Sequence, residues 1–288
     1  MVNLNLSMLH KTVFYLILIF ALTVDAQISC SPMDSTLFYS KLEGLKGIEG
    51  DSYGDSVVDI GKSFLGTPYV EKTLEIGDIE TLVVNLRGLD CTTYVENVLA
   101  FGLMFQNNQT DFESFTENLK TIRYRNGVLY GYPSRLHYFT EWIRNNEGKG
   151  LIQDITVSLD GIEMNKAINF MGTHRALYPF LEEDKNYAAI QAVEVELAKE
   201  SLCILPQDKI ESKEHLIQSG DIIALATSIK GLDVTHTGFA IKQNGRIHLL
   251  HASSSGSVRI TEEPLVDYLK KIKSNIGIIV ARPNLLSP

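Results

Sequence analysis

The chain has 288 residues, of which 44% are apolar and 21% charged, enough material for one well-buried globular core. A formal charge of -9 and a pI near 5.3 leave no basic footprint for nucleic acid or an anionic membrane, so a neutral or mixed-charge polymer is the better-matched partner. Three cysteines, Cys30, Cys91 and Cys203, are too few for a disulfide framework; Cys30 and Cys203 could pair, which would leave Cys91 single.

Residues 13 to 24 form an apolar run preceded by His10-Lys11 and followed by the small Ala26. This reads as a secretory signal peptide over 1–26, too short to span a bilayer comfortably. Cleavage would remove Lys11 and Asp25 together and leave the charge at -9. An uncleaved anchor helix is the weaker alternative, as is a lipid anchor at Cys30, because Gln27-Ile28-Ser29 is a poor approach to a lipidated cysteine.

From residue 34 to 66, Leu37, Leu42, Val57, Ile60 and Phe64 recur at roughly helical spacing, interrupted by Gly44, Gly47 and Gly50. Gly66-Thr67-Pro68 ends that pattern, and Glu80 to Leu86 alternates as a short strand would. After Asp90, an N-cap type of residue, Tyr94, Val95, Val98, Leu99 and Leu103 define one face of a helix that Cys91 begins. The stretch from about Thr110 to Glu214 is mixed, with turn signals at Asn126-Gly127 and Asn145-Asn146, a helix over Tyr187 to Ser201, and no internal repeat. Asn108-Gln109-Thr110 matches a glycosylation sequon, a motif short enough to occur by chance. Beyond it, Asp221 to Ala226, Thr235 to Lys242, Arg246 to Ala252 and Ile276 to Ala281 read as strands.

In the first turn of a helix, unpaired N–H groups and the positive end of the dipole favour a thiolate and can hold an oxyanion. On position alone, Cys91 is equally well read as a small apolar residue packed at a helix start. A thiol nucleophile needs a base, and the base needs an orienting partner. Asn244-Gly245 predicts a two-residue hairpin turn, which fixes the register: Gln243 opposite Arg246, Ala240 opposite Leu249, Ile241 opposite His248, Gly238 opposite His251 and His236 opposite Ser253. Paired residues share a side of the sheet, so His236 and His251 are diagonal neighbours on one face, and His248 points the other way.

Gly66-Thr67-Pro68-Tyr69-Val70, Leu89-Asp90-Cys91-Thr92-Thr93-Tyr94-Val95-Glu96, Gly220-Asp221-Ile222-Ile223, His236-Thr237-Gly238-Phe239-Ala240 and His251-Ala252-Ser253-Ser254 occur in the order found in NlpC-like cell-wall cysteine peptidases. Ser134-Arg135-Leu136-His137-Tyr138-Phe139, Gly231 to His236 and Ala281-Arg282-Pro283 resemble one branch, the N-acetylmuramoyl-L-alanine amidase-like proteins. The resemblance implies an α+β, papain-like fold in which the helix carrying the nucleophile packs on an antiparallel sheet. It implies one catalytic domain over 27–288, with a large recognition insertion at about 104–215. It further implies Cys91 as nucleophile, His236 as base, His251 as its orienting partner, and Tyr69 beside the nucleophile.

The activity implied is hydrolysis of the amide between N-acetylmuramic acid and L-alanine in peptidoglycan fragments, without metal or organic cofactor, by an exported protein of the periplasm or cell envelope. Cleavage of stem peptides after D-glutamate, and cell-wall binding without catalysis, are the alternatives. A zinc hydrolase with Cys91, His236 and His251 as ligands is a further rival, since thiolate and imidazole suit zinc. Within the insertion, Arg135 and Tyr138 are the expected glycopeptide contacts. His137 and Trp142 fit binding or helix packing equally, and His174 is expected to support a loop.

Overall fold

The computed structural model describes residues 27–47 and 52–284; the expected signal peptide lies outside them. In chain order the elements are β1 (Ile28–Cys30), α1 (Pro32–Gly44), α2 (Tyr53–Lys62), β2 (Leu82–Val84), α3 (Cys91–Gln106), α4 (Phe112–Arg123), α5 (Phe139–Gly148), β3 (Ile152–Asp154), β4 (Ile162–Met164), α6 (Phe170–Thr173), α7 (Asp184–Leu197), β5 (Leu202–Pro206), α8 (Ile210–Lys213), β6 (Ile222–Thr227), β7 (Val234–Gln243), β8 (Arg246–Ala252), β9 (Val258–Ile260), α9 (Leu265–Lys270) and β10 (Asn275–Pro283). This is an α+β fold. Among the described residues no helix is long and apolar enough to cross a membrane.

An antiparallel sheet in the order β4-β5-β10-β6-β7-β8-β9, with β3 added to the far end of β10, forms the frame. Side chains alternate across it. Ile222, Ala224, Phe239, Ile241, Leu250 and Ile279 join the larger core under α3, while Ile223, Leu225, Ala240, Ile247, Leu249 and Val280 join a second core with Leu265 and Leu269 of α9. Both faces are therefore dry, which is why these strands read as nearly continuous apolar runs.

Helix α3 begins where Asp90 leaves the helical region (φ -88°, ψ 180°). Its carboxylate accepts the Thr93 N–H at 2.7 Å, and the Asp90 N–H is bonded to the Thr93 hydroxyl at 3.0 Å, a reciprocal cap that fixes Cys91 as the first helical residue. Tyr94, Val95, Val98, Phe101 and Met104 are fully buried, so α3 is a central helix anchored from several sides. The buried Glu96 accepts from Arg123 of α4 at 2.7 Å, and Arg123 also donates to the Val83 carbonyl.

The long segment between α3 and β6 is not a separate appendage. Its strands β3 and β5 pair with β10, and α5 is held to the start of β7 by Asp233, which accepts from both the N–H and the hydroxyl of Thr140 at 2.8 Å. Two motif residues beyond it prove to be mutual supports: Arg282 clasps the buried Asp221 carboxylate through two bonds of 2.7 and 2.8 Å. Cys30 and Cys203 are both free thiols, so the considered pairing does not occur.

Candidate active site

The β7–β8 turn has φ 51° at Asn244 and 80° at Gly245, the paired left-handed conformation of a tight hairpin. Gln243 pairs with Arg246, Ala240 with Leu249 and Ile241 with His248, the register expected from the dipeptide. His236 and His251 consequently meet: Nε2 of His236 lies 2.6 Å from Nδ1 of His251, with the rings edge to face at 4.8 Å between centroids. His248 turns away and bonds the Thr261 carbonyl at 2.9 Å.

Gly238 is what lets the two strands close around this pair. A Cβ placed there would lie 2.8 Å from the His251 Cβ and 2.7 Å from the Leu250 carbonyl oxygen, closer than side chains pack. Behind the pair, Tyr268 of α9 sets its ring edge-on to His251 at 5.6 Å.

Cys91 approaches the same end of the hairpin. Cys91, half-buried as a residue, heads the helix that packs on β7, close to the backbone of Thr237, the residue next to His236. Burial pushes the thiol up to about 12, helped by the neighbouring Asp90 carboxylate, and the bonds from Thr237 and Thr92 offset this only in part. That reverses the expectation that the helix terminus favours the thiolate. The imidazoles move the opposite way: burial lowers His236 to about 4, and burial, the adjoining His236 and Arg259 lower His251 to about 3. Thiol and imidazoles are accordingly all neutral in the resting protein.

Tyr69 stands beside this group. The segment carrying it is clipped on two sides, by Tyr69 N–H to the Gly256 carbonyl (2.8 Å) and Val258 N–H to the Thr67 carbonyl (2.8 Å) on one, and by Leu89 N–H to the Pro68 carbonyl (3.0 Å) on the other. Burial and the nearby Cys91 and Asp90 raise its phenol, keeping it a hydrogen-bond donor. The serines after β8 make a polar turn, with the Ser253 and Ser255 hydroxyls 2.8 Å apart.

Arg135 and Tyr138, expected to contact a glycopeptide, do something else. Arg135 is 6% exposed, bound to Glu75 at 2.7 Å and Glu80 at 3.2 Å, with its guanidinium over the Tyr132 ring. Tyr138 is 2% exposed; its hydroxyl donates to Glu194 at 2.7 Å and accepts the Met171 N–H at 2.8 Å. Each has its polar atoms committed inside the protein, so both brace the insertion. His137 is likewise internal, at 2.9 Å from the Tyr132 carbonyl, and Trp142 stacks on Phe139. His174 supports its loop by stacking on Phe170. The supports that sequence reasoning missed, Thr237 and Tyr268, carry no local signal, because their roles depend on packing across the sheet. Among the described residues, no group of three or more His, Cys, Asp or Glu side chains is placed to hold a metal ion.

A family model described as AmiA-like, N-acetylmuramoyl-L-alanine amidase-like, matches residues 59–278. The chain belongs to this family. Its fold resembles a Bacteroides uniformis N-acetylmuramoyl-L-alanine amidase, with 36% identity and a TM-score of 0.77 over 81% of this chain and 99% of that one. A Bacteroides fragilis protein described as a "putative xylanase" shares 41% identity with the AmiA-like chain, with a TM-score of 0.74 over 78% and 99% of the two chains. A Legionella pneumophila protein, 24% identical with a TM-score of 0.65 over 87% and 94%, shares the fold. No curated protein matches the chain.

Proposed function

We propose that this AmiA-like protein is a cysteine-dependent amidase that cleaves the lactyl amide between N-acetylmuramic acid and L-alanine in peptidoglycan fragments. On this reading it is an exported protein of the cell envelope, a papain-like member of the NlpC-like superfamily, and its insertion forms the substrate walls. The observation that carries the chemistry is the His236–His251 contact on the strand whose Thr237 backbone lies close to Cys91.

The ring contact needs one nitrogen to donate and the other to accept, and this mechanism takes His236 as the donor. With Nε2 of His236 occupied by Nδ1 of His251, a neutral His236 that donates from Nε2 keeps its Nδ1 lone pair for the thiol proton. As the sulfur–carbon bond forms, that proton passes to Nδ1 and the carbonyl electron pair moves onto oxygen. The N–H groups at the start of α3 and the Tyr69 hydroxyl are the donors for this oxyanion. Collapse breaks the carbon–nitrogen bond, and Nδ1–H protonates the departing amine of L-alanine. Water then gives its proton to the same nitrogen and attacks the thioester, releasing the lactyl carboxylate and restoring the thiol.

Muropeptides incubated with the wild type are expected to yield peptides with a free L-alanine terminus, identified by mass spectrometry. Cys91→Ala should abolish them, iodoacetamide should do the same, and a chelator should not. Products ending at D-glutamate would redirect the assignment to an endopeptidase, and chelator sensitivity with iodoacetamide resistance would redirect it to zinc chemistry.

A further inference from the structure

We infer that Asp233 is a positioning residue: it ties the entry of β7 to α5 of the insertion and so fixes the bulged backbone from which His236 projects. The inference rests on the hydrolytic reading above, in which His236 is the base.

The need for such a tie follows from how β7 is paired. Against β8 its ladder ends at Phe239 opposite Leu250, so His236 reaches His251 from a stretch that β8 no longer holds. Against β6, Leu225 faces His236 and Ala226 faces Val234, which leaves Thr235 as an extra residue immediately before the imidazole. A bulge of this kind bends its strand and re-aims the side chains beside it. Were the extra residue to slip from Thr235 to His236, Thr235 would stand opposite Leu225 and the imidazole would leave the face it shares with His251.

Asp233 holds the chain just ahead of that point. It is 2% exposed, and its carboxylate accepts the Thr140 N–H and hydroxyl through one oxygen and the Val234 N–H through the other, each at 2.8 Å. Its carbonyl accepts the Thr227 N–H of β6 at 3.2 Å. Burying a carboxylate is costly unless its bonds are met, and here it meets donors on both sides of the joint. Helix α5 has no side-chain cap at Tyr138, so the anion supplied from β7 serves its first turn instead. Two residues earlier Gly231, at φ 80°, offers its carbonyl to the Asn169 and Phe170 N–H groups at 2.9 Å each, which docks the start of α6 on the same approach. The insertion thus grips the strand of the base at two successive points, beyond any part it plays in walling the substrate.

The test compares Asp233→Asn, Thr140→Val and Thr140→Ser with the wild type by steady-state release of L-alanine peptides and by nitrogen NMR of the His236 ring in histidine-labelled protein. An asparagine has one acceptor oxygen where the carboxylate has two, so Asp233→Asn sets an amide N–H against either Thr140 or the Val234 N–H. Expected is a fall in kcat of about tenfold to 10²-fold with KM unchanged within about twofold, together with displaced His236 ring resonances in protein that still melts cooperatively. Thr140→Ser, which keeps both donors, should match the wild type, and Thr140→Val, which keeps only the N–H, should fall between. If Asp233→Asn does not fold, Thr140→Val decides on the same readouts. Wild-type ring resonances and kcat in a folded Asp233→Asn or Thr140→Val protein, or an equal loss in Thr140→Ser, would overturn the proposal. A wild type that releases no L-alanine peptide would refute the hydrolytic reading instead, and the ring resonances would still decide whether Asp233 places His236.

Discussion

Gly238→Ala is the sharpest test of the His236–His251 geometry, because the new methyl group touches no substrate and carries no charge. Its Cβ would stand 2.7 Å from the Leu250 carbonyl oxygen and 2.8 Å from the His251 Cβ. Neither atom can rotate away, so β8 itself must move. Opening the 2.8 Å approach to the 3.4 Å of ordinary contact requires about 0.6 Å (3.4 - 2.8), and the nearer carbonyl requires slightly more. A shift of that size applied to His251 would stretch its 2.6 Å bond to His236 toward the outer limit of a useful hydrogen bond.

Overpacking of this kind costs about 1 to 3 kcal/mol. For a domain of this size that corresponds to a fall in Tm of roughly 2 to 12 °C. Loss of the base's orientation should lower kcat by about 10²-fold while KM stays near the wild-type value. The assay is thermal unfolding by circular dichroism alongside steady-state release of L-alanine peptides, with Gly44→Ala as control, since a Cβ at Gly44 meets nothing within 4 Å. A Gly238→Ala protein with unchanged kcat would show that the two rings need not be held as the structure has them.

His251→Ala should reproduce the fall in kcat, about 10²-fold, without the overpacking, and a matching kcat in the double variant with Gly238→Ala would show that both act through one contact. Because burial lowers His236 to about 4 and His251 to about 3, the acid limb of the kcat/KM profile should lie well below the ordinary histidine value near 6.5. The same imidazoles take protons more readily once unfolded, so their contribution to stability is fully present above about pH 6.5 and declines as pH falls through 6.5 toward 4, which a series of Tm values from pH 7 to pH 4 will register. Arg135→Met leaves Glu75 and Glu80 without their buried partner and should cost about 3 to 5 kcal/mol in urea unfolding. If instead the variant unfolds like wild type but raises KM, Arg135 is a substrate contact after all.

What could be read from the sequence was what local rules determine. Asn244-Gly245 allows one kind of turn, the turn allows one register, and the register puts His236 and His251 on a single face; a structure was not needed for that chain of steps. Asp90 likewise announced the start of α3. The insertion resisted because its order depends on distant partners. Strand β5 is defined by pairing with β10 more than seventy residues later, and the buried states of Arg135 and Tyr138 follow from Glu75, Glu80 and Glu194. No periodicity in the Ser134–Phe139 stretch reveals that those carboxylates wait for it. Helix α4 does carry a local signal within the mixed stretch: Phe112, Phe115, Leu119 and Ile122 have helical spacing behind an Asp111 cap that accepts the Ser114 N–H at 2.7 Å.

The state of Cys91 shows the same contrast between local and distant causes, and it bears on how an amide can be cut. A helix terminus stabilises an anion by about 2 kcal/mol at most. Moving a thiol from 9.0 to about 12 corresponds to roughly 4 kcal/mol in the other direction, so burial together with the Asp90 charge outweighs the dipole. A preformed thiolate would attack readily, but it would leave the base already protonated before substrate arrived. In the proposed mechanism, starting from the neutral arrangement, the proton moves only as the carbonyl is attacked. It then resides on an imidazole whose burial makes its protonated form more acidic than an ordinary imidazolium, and expulsion of an amine nitrogen is the step that needs an acid. In the proposed mechanism the low basicity of His236 would weaken it as a base for the thiol and strengthen it as the acid for the leaving group, a trade that suits a stable amide better than an activated ester.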